Sequence, residues 1–171
     1  MIRSGVLALA PLFWAILAAD PQPAKFPTFQ EYPAGEAFSG KPAAPILKTA
    51  NQRMFRTMIR QGAAKGPNFA GRFTVAEWGC GGGCVSIAVI DARDGTVYDG
   101  PFQSLSWSLF KYEGQYAANA NDFAQLEYRK DSRLLIARGC PEDENCASYF
   151  YEWAPPKFKL LRKVPATPLE P

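Results

Sequence analysis

The sequence predicts an α+β domain, mainly an antiparallel β meander of about seven strands in three hairpins, with one N-terminal amphipathic helix packed on the sheet. Three observations predict it. Only residues 46–62 carry strong helical periodicity. After Phe73 the apolar residues alternate or run in short blocks. Turn-forming residues separate those blocks at hairpin spacing. Propeller blades share this strand–turn–strand rhythm, but about four are needed and this chain is too short for them.

Residues 1–19 read as a secretory signal. Arg3 supplies a positive start, Val6 to Leu17 is apolar apart from Pro11, and Ala18 and Ala19 are small enough to precede a cut. Leu17 at the third position before that cut is larger than usual, so cleavage one residue earlier and retention as a short anchor are competing readings. The apolar run falls short of the roughly 20 residues that span a bilayer. No stable membrane insertion is expected after cleavage, and the expected location is periplasmic or secreted. The formal charge of +3 falls to +2 with the loss of Arg3, the leader's only charged residue. So small an excess gives no reason to expect nucleic acid as a partner.

Residues 20–45 hold Pro21, Pro23, Pro27, Pro33, Pro42 and Pro45, too many for helix or strand interiors. They read as an extended lead-in whose aromatics, Phe26, Phe29, Tyr32 and Phe38, pack in part on the domain. The domain proper spans 46–163, and 164–171 is a Pro-rich tail. In the helix, Leu47, Ala50, Met54, Phe55, Met58 and Ile59 recur at three- and four-residue spacing. Arg53, Arg56 and Arg60 form a basic stripe on the other side, which reads as the solvated face. Gly62 and Gly66–Pro67 end the element.

Phe73 to Trp78 alternates as a strand, with Phe73, Val75 and Glu77 on one face. Val85 to Ile90 is apolar except for Ser86. The turn Asp91 to Gly95 then returns the chain through Thr96 to Tyr98, because Asp-Gly beside β-branched residues favours a hairpin. Trp107, Leu109 and Phe110 suggest a short strand, and Ala117 to Phe123 a loop or helical turn. A second hairpin joins Leu126–Arg129 to Arg133–Arg138 around Lys130–Asp131–Ser132. A third joins Ser148–Trp153 to Phe158–Arg162 through Pro155–Pro156.

Four cysteines lie in two short loops, CGGGC at Cys80 to Cys84 and CPEDENC at Cys140 to Cys146. In an oxidising compartment an even count reads as a disulfide framework. Proximity favours Cys80–Cys84 with Cys140–Cys146, and the glycines allow the first loop to fold back tightly. Crossed pairings compete if both loops sit at one end of a sheet.

The segments GPNFAGRF (Gly66 to Phe73), WGCGGGC (Trp78 to Cys84) and AVIDARDGTVY (Ala88 to Tyr98), with the later C-P-x-x-x-x-C, resemble a group of uncharacterised exported proteins of Gram-negative bacteria. That group carries an N-F-A-G segment, W-G-C-G-x-G-C and a D-x-x-T-G-x-V hairpin. Here Asp94 stands where that turn usually has threonine. The resemblance implies export, paired cysteines and a β-rich domain, and no particular activity.

The chain has no histidine, which removes histidine bases, Ser-His and Cys-His nucleophile systems and histidine-ligated zinc. A four-cysteine zinc site would have three and five intervening residues where zinc ribbons have two. No metal or other cofactor is expected. Glu77 and Asp91, with Asp99 in reserve, are the candidate catalytic carboxylates, weighed against structural ion pairs. If buried, Glu77 needs a partner such as Arg72 or a helix arginine. Gly81, Gly82 and Gly83, with Arg72 nearby, are candidates for an anion-binding nest. Glu142, Asp143 and Glu144 read as a solvated acidic tip. Tyr149, Tyr151 and Trp153 share one strand face, which is either covered by another layer or open for binding. The leading expectation is a non-enzymatic exported domain that binds a protein or glycan partner in the cell envelope. The alternatives are a carboxylate-based envelope hydrolase or lyase, and a thiol–disulfide protein using Cys80 and Cys84.

Overall fold

The computed structural model describes residues 26–107, 110–111 and 124–168. The leader (1–19), the start of the lead-in, Leu109, the 117–123 segment and the last three residues of the tail lie outside the described residues. The fold is dominated by an antiparallel sheet with few helical residues, an α+β arrangement built on a β meander.

The strands are β1 (Phe73–Gly81), β2 (Cys84–Asp91), β3 (Val97–Asp99), β4 (Leu105–Ser106), β5 (Phe110–Lys111), β6 (Leu126–Tyr128), β7 (Leu134–Pro141), β8 (Ala147–Ala154), β9 (Lys157–Pro165) and β10 (Thr167–Pro168). Eight form one sheet in the order β1-β2-β4-β7-β8-β9, with β3 on β2 and β6 on β7. Three hairpins fall where turn chemistry places them: β1–β2 across the glycine loop, β2–β3 across Asp91 to Gly95, and β8–β9 across Pro155–Pro156. β6 and β7 make a further hairpin around Lys130 to Ser132. The tail continues the sheet structure: β9 runs to Pro165, and β10 pairs with β5.

The short strand β4 is the hinge of the architecture. Ser106 lies opposite Cys84 of β2 and also opposite Cys140 of β7. Two residues therefore weld the β1–β2–β3 half to the β6–β9 half. The halves curl toward each other and enclose one core from both sides. Phe73 of β1 meets Trp153 of β8 edge-on, with ring centroids 5.3 Å apart, and Trp153 is fully buried. Tyr98 also reaches Trp153 at 5.3 Å.

That enclosure settles the aromatic face of β8. Tyr149 and Tyr151 are also buried in the same core. The open reading of this face is corrected: Tyr149, Tyr151 and Trp153 offer no groove, because the first half of the sheet folds over them.

The expected single helix over 46–62 is corrected too. Helix α1 spans Ala50–Met54 and α2 spans Arg56–Ala64, separated at Phe55, whose φ and ψ are −96° and 20°. Thr49 caps α1 by accepting from the Gln52 N–H at 3.1 Å. Residues before Thr49 stay out of the helix, and Ile46 bridges Thr96 beside β3. Ile59 and Ala63 of α2 pack on Ala76, Trp78, Ala88 and Ile90 of the sheet's outer face. The lead-in covers the corresponding face of the other half, where Phe26, Phe29 and Tyr32 pack on Leu134, Ile136 and Phe150. Buried Ser132 pins it, its Oγ lying 2.9 and 2.8 Å from the carbonyl oxygens of Phe29 and Tyr32.

Candidate functional site

Both cysteine loops stand at one end of the sheet, as the crossed pairings would require, yet the bonds formed are the local ones, Cys80–Cys84 and Cys140–Cys146. Cys84 and Cys140 flank Ser106 across neighbouring strands, so the bridges stand about 10 Å apart at ordinary strand spacing. Cys80 is exposed and Cys140 is buried. The second loop is bound to the segment before β4. Glu142 Oε1 accepts from the backbone N–H of Gln103 at 2.8 Å, the Glu142 N–H donates to Ser104 O at 3.1 Å, and Asp143 accepts from Ser106 Oγ.

This bracing shapes a cleft of about 700 Å³ between the helices, the outer face of β1–β2 and the Asp99–Ser104 segment. Trp78, Ile87 and Ala88 form its floor, and Phe55 and Met54 one wall. Cys80 and Glu142, one from each stapled loop, stand at its margin. The size suits a small ligand or one segment of a larger partner. The walls are held by Gln52, which is buried: its Oε1 accepts from Lys48 N–H at 2.8 Å, and its Nε2 donates to Asp99 Oδ1 at 3.2 Å. Phe55 stacks on Trp78 with ring centroids 5.0 Å apart. Only 7% of Trp78 is exposed, and its indole Nε1 has no hydrogen-bond partner among the described residues. Carboxylates line the cleft through Asp99 and Glu142; among the described residues no lysine or arginine does.

The two candidate catalytic carboxylates are not brought together. Asp91 lies opposite Phe73 and Glu77 opposite Ile87, four positions apart along β1, or about 13 Å. Asp91 is buried and holds its turn. Its Oδ2 accepts from Arg72 Nε at 2.8 Å, and its Oδ1 from the Arg93 N–H at 3.0 Å. Glu77 is exposed and accepts from the hydroxyl of Tyr128, a partner not foreseen from sequence, where Arg72 had that part. Burial first, and the bond to Glu77 second, push the Tyr128 hydroxyl well above its usual pKa.

The expected anion site is also taken apart. Arg72 precedes β1 and pairs with Asp91, while Gly81 is the last residue of β1 and Gly82 and Gly83 follow it, roughly 30 Å away along the strand. The glycines are exposed with φ of 97°, 50° and 83°, the left-handed backbone of the stapled turn, and Gly83 O accepts from Trp107 N–H at 2.9 Å. Among the described residues no three Asp, Glu, Cys or His side chains gather as a metal-ligand set.

Fold and site together define a disulfide-stapled β domain with one large cleft beside its stapled end. In comparisons with family models, curated proteins and solved structures, none matches the chain. Sequence reasoning missed the cleft residues Gln52, Phe102, Gln103 and Ser104. The turn signal Asp99–Gly100–Pro101 marked where that wall begins.

Proposed function

We propose that this chain is an exported, disulfide-stabilised domain of the cell envelope that binds a protein or glycan partner in the cleft between α1–α2 and the β1–β2 face. The observation that carries the reading is the cleft itself. It is apolar at the floor and lined by carboxamide and hydroxyl side chains, those of Asn51, Gln52, Gln103, Ser86 and Ser104. Asp99 and Glu142 each hold a wall by hydrogen bonds, a positioning task that fits binding better than proton transfer.

The thiol–disulfide alternative has one observation in its favour, the exposed Cys80 at the cleft margin. Against it, no lysine or arginine among the described residues lines the cleft to favour a thiolate.

The test is capture of partners by the immobilised mature domain, from envelope extract and on a glycan array. Ser104→Trp, which fills the cleft while sparing its backbone bonds, should abolish capture; Lys159→Ala, on β9, should not. Equal capture by all three proteins sinks the reading. Export is tested separately, by the mass of the periplasmic protein: a species retaining Arg3 contradicts cleavage of the leader.

A further inference from the structure

Every described arginine outside the two helices has an acidic or aromatic partner. Arg72 and Arg93 face Asp91, Arg133 faces Glu152, and Arg138 faces Glu127. Arg129 and Arg162 sit over the rings of Phe29 and Phe26, at 4.2 and 4.4 Å. Arg53, Arg56 and Arg60 have neither kind of partner among the described residues. Arg53 donates to Lys48 O at 2.8 Å and Arg56 to Arg53 O at 3.4 Å, which leaves most of their N–H groups directed elsewhere. All three are exposed.

The sequence around them offers no acidic neighbour. From Ala37 to Ala76 the chain has no Asp or Glu, yet it has seven Lys and Arg. Arg56 and Arg60, four residues apart, form a stripe on one side of α2 about 6 Å long, and Arg53 precedes it on α1 across the break at Phe55. Beside it Met54 is 72% exposed and Met58 45% exposed, two large apolar side chains on the outside of the same helices.

We propose that the outer face of α1–α2 docks an acidic polypeptide segment of a partner protein. The carboxylates of the segment pair with Arg53, Arg56 and Arg60, and its apolar side chains lie on Met54 and Met58. Charge complementarity favours this occupant, because a guanidinium fork matches a carboxylate in two-point geometry. Flexible thioethers suit protein side chains of varied shape. A lipid surface fits less well: the apolar side of these helices, Ile59 and Ala63, already faces the sheet and is not available to insert. This surface borders the cleft at Met54, which also walls it, while Arg53, Arg56, Arg60 and Met58 lie outside the cleft's lining.

The experiment is fluorescence anisotropy of a labelled Glu-rich peptide with interspersed leucines, titrated with the full mature chain. Expected is saturable binding that weakens with salt and falls ~10-fold in R53E/R56E/R60E, the size three modest ion pairs would give. R53Q/R56Q/R60Q, with the charge removed rather than reversed, should show a smaller loss and guards against misfolding of the first variant. K157E/K159E, on the far β9 edge, should bind as the unaltered chain does. An equal loss in that variant shows general charge attraction and overturns the proposal. So does absence of peptide binding, whether alone, with binding to phosphatidylglycerol vesicles instead, or with a stripe-dependent dimer in light scattering.

Discussion

Asn68 stands in for a neighbouring strand beside Val75. Its Nδ2 donates to the Val75 carbonyl at 3.0 Å, and its Oδ1 accepts the Val75 N–H at 2.8 Å. Two residues earlier on that edge, Phe73 exchanges backbone bonds with Phe69, both at 2.9 Å. The first half of β1's outer edge is thus closed by the NFAG segment itself. An open edge invites pairing with another chain.

Asn68→Ala should therefore cost about 1–3 kcal/mol, because it strands a backbone N–H and C=O at a buried residue. Urea unfolding measures the cost, and light scattering over time should show added self-association. A change below about 0.5 kcal/mol, with no association, would show that Asn68 does not close this edge.

What could be read in advance was local. The hairpins follow from Asp-Gly, Lys-Asp-Ser and Pro-Pro turns, each acting within a few residues. The break at Phe55 was hidden because Phe55 fits the apolar face of a continuous helix and also the kinked one, where it stacks on Trp78. Alternation placed Tyr149, Tyr151 and Trp153 on one face but could not say what covers it, since Phe73 arrives from eighty positions earlier in the chain. The cleft was illegible for the same reason. Its walls meet only after β4, two residues with no pattern of their own, joins Cys84 to Cys140 through Ser106.

Gly62 provides a sharper test of the helix seat. A Cβ at this position would lie 2.3 Å from Ala76 Cβ and 3.0 Å from Ala76 Cα. Gly62→Ala gains about 1 kcal/mol of helix propensity. The clash is with atoms that cannot swing aside, and overpacking costs typically 1–3 kcal/mol. The net change should be destabilising in denaturant melts, and the Phe55–Trp78 stack should loosen, seen as altered tryptophan near-ultraviolet dichroism. A stabilised variant with unchanged dichroism would mean that α2 does not rest on Ala76.

The two bridges should part company under reduction. Cys80 is exposed and Cys140 only 3% exposed, so dilute thiol in the native state should open Cys80–Cys84 first. Differential alkylation with mass spectrometry reads the order directly. Each bridge closes a short loop, with sequence separations of 4 and 6, so the chain-entropy contribution is about 2 kcal/mol apiece. C140A/C146A should nevertheless cost more than C80A/C84A, because the loop it frees also holds Gln103 and Ser104 through Glu142. The reverse order of reduction, or equal losses, contradicts this account.

Tyr128 and Tyr151 should be among the tyrosines that ionise late in alkaline titration, alongside Tyr98, which burial also raises. Burial pushes Tyr151 up to about 12, with the nearby Tyr149 and Glu142 adding to it. Burial and the Glu77 carboxylate also raise Tyr128. Both phenols are kept neutral by the fold and ionise more readily when unfolded. Their contribution to stability is therefore complete below the unfolded pKa near 10 and is lost as pH climbs through the folded values. Tyrosinate absorbance of the native protein should lag behind that of the urea-unfolded chain above pH 10, and the unfolding free energy should fall over the same range. Tyr128→Phe removes one late group and makes that fall shallower, while giving up one hydrogen bond to an exposed carboxylate. If native and unfolded titrations coincide, the two hydroxyls are not shielded in the way their positions in the fold require.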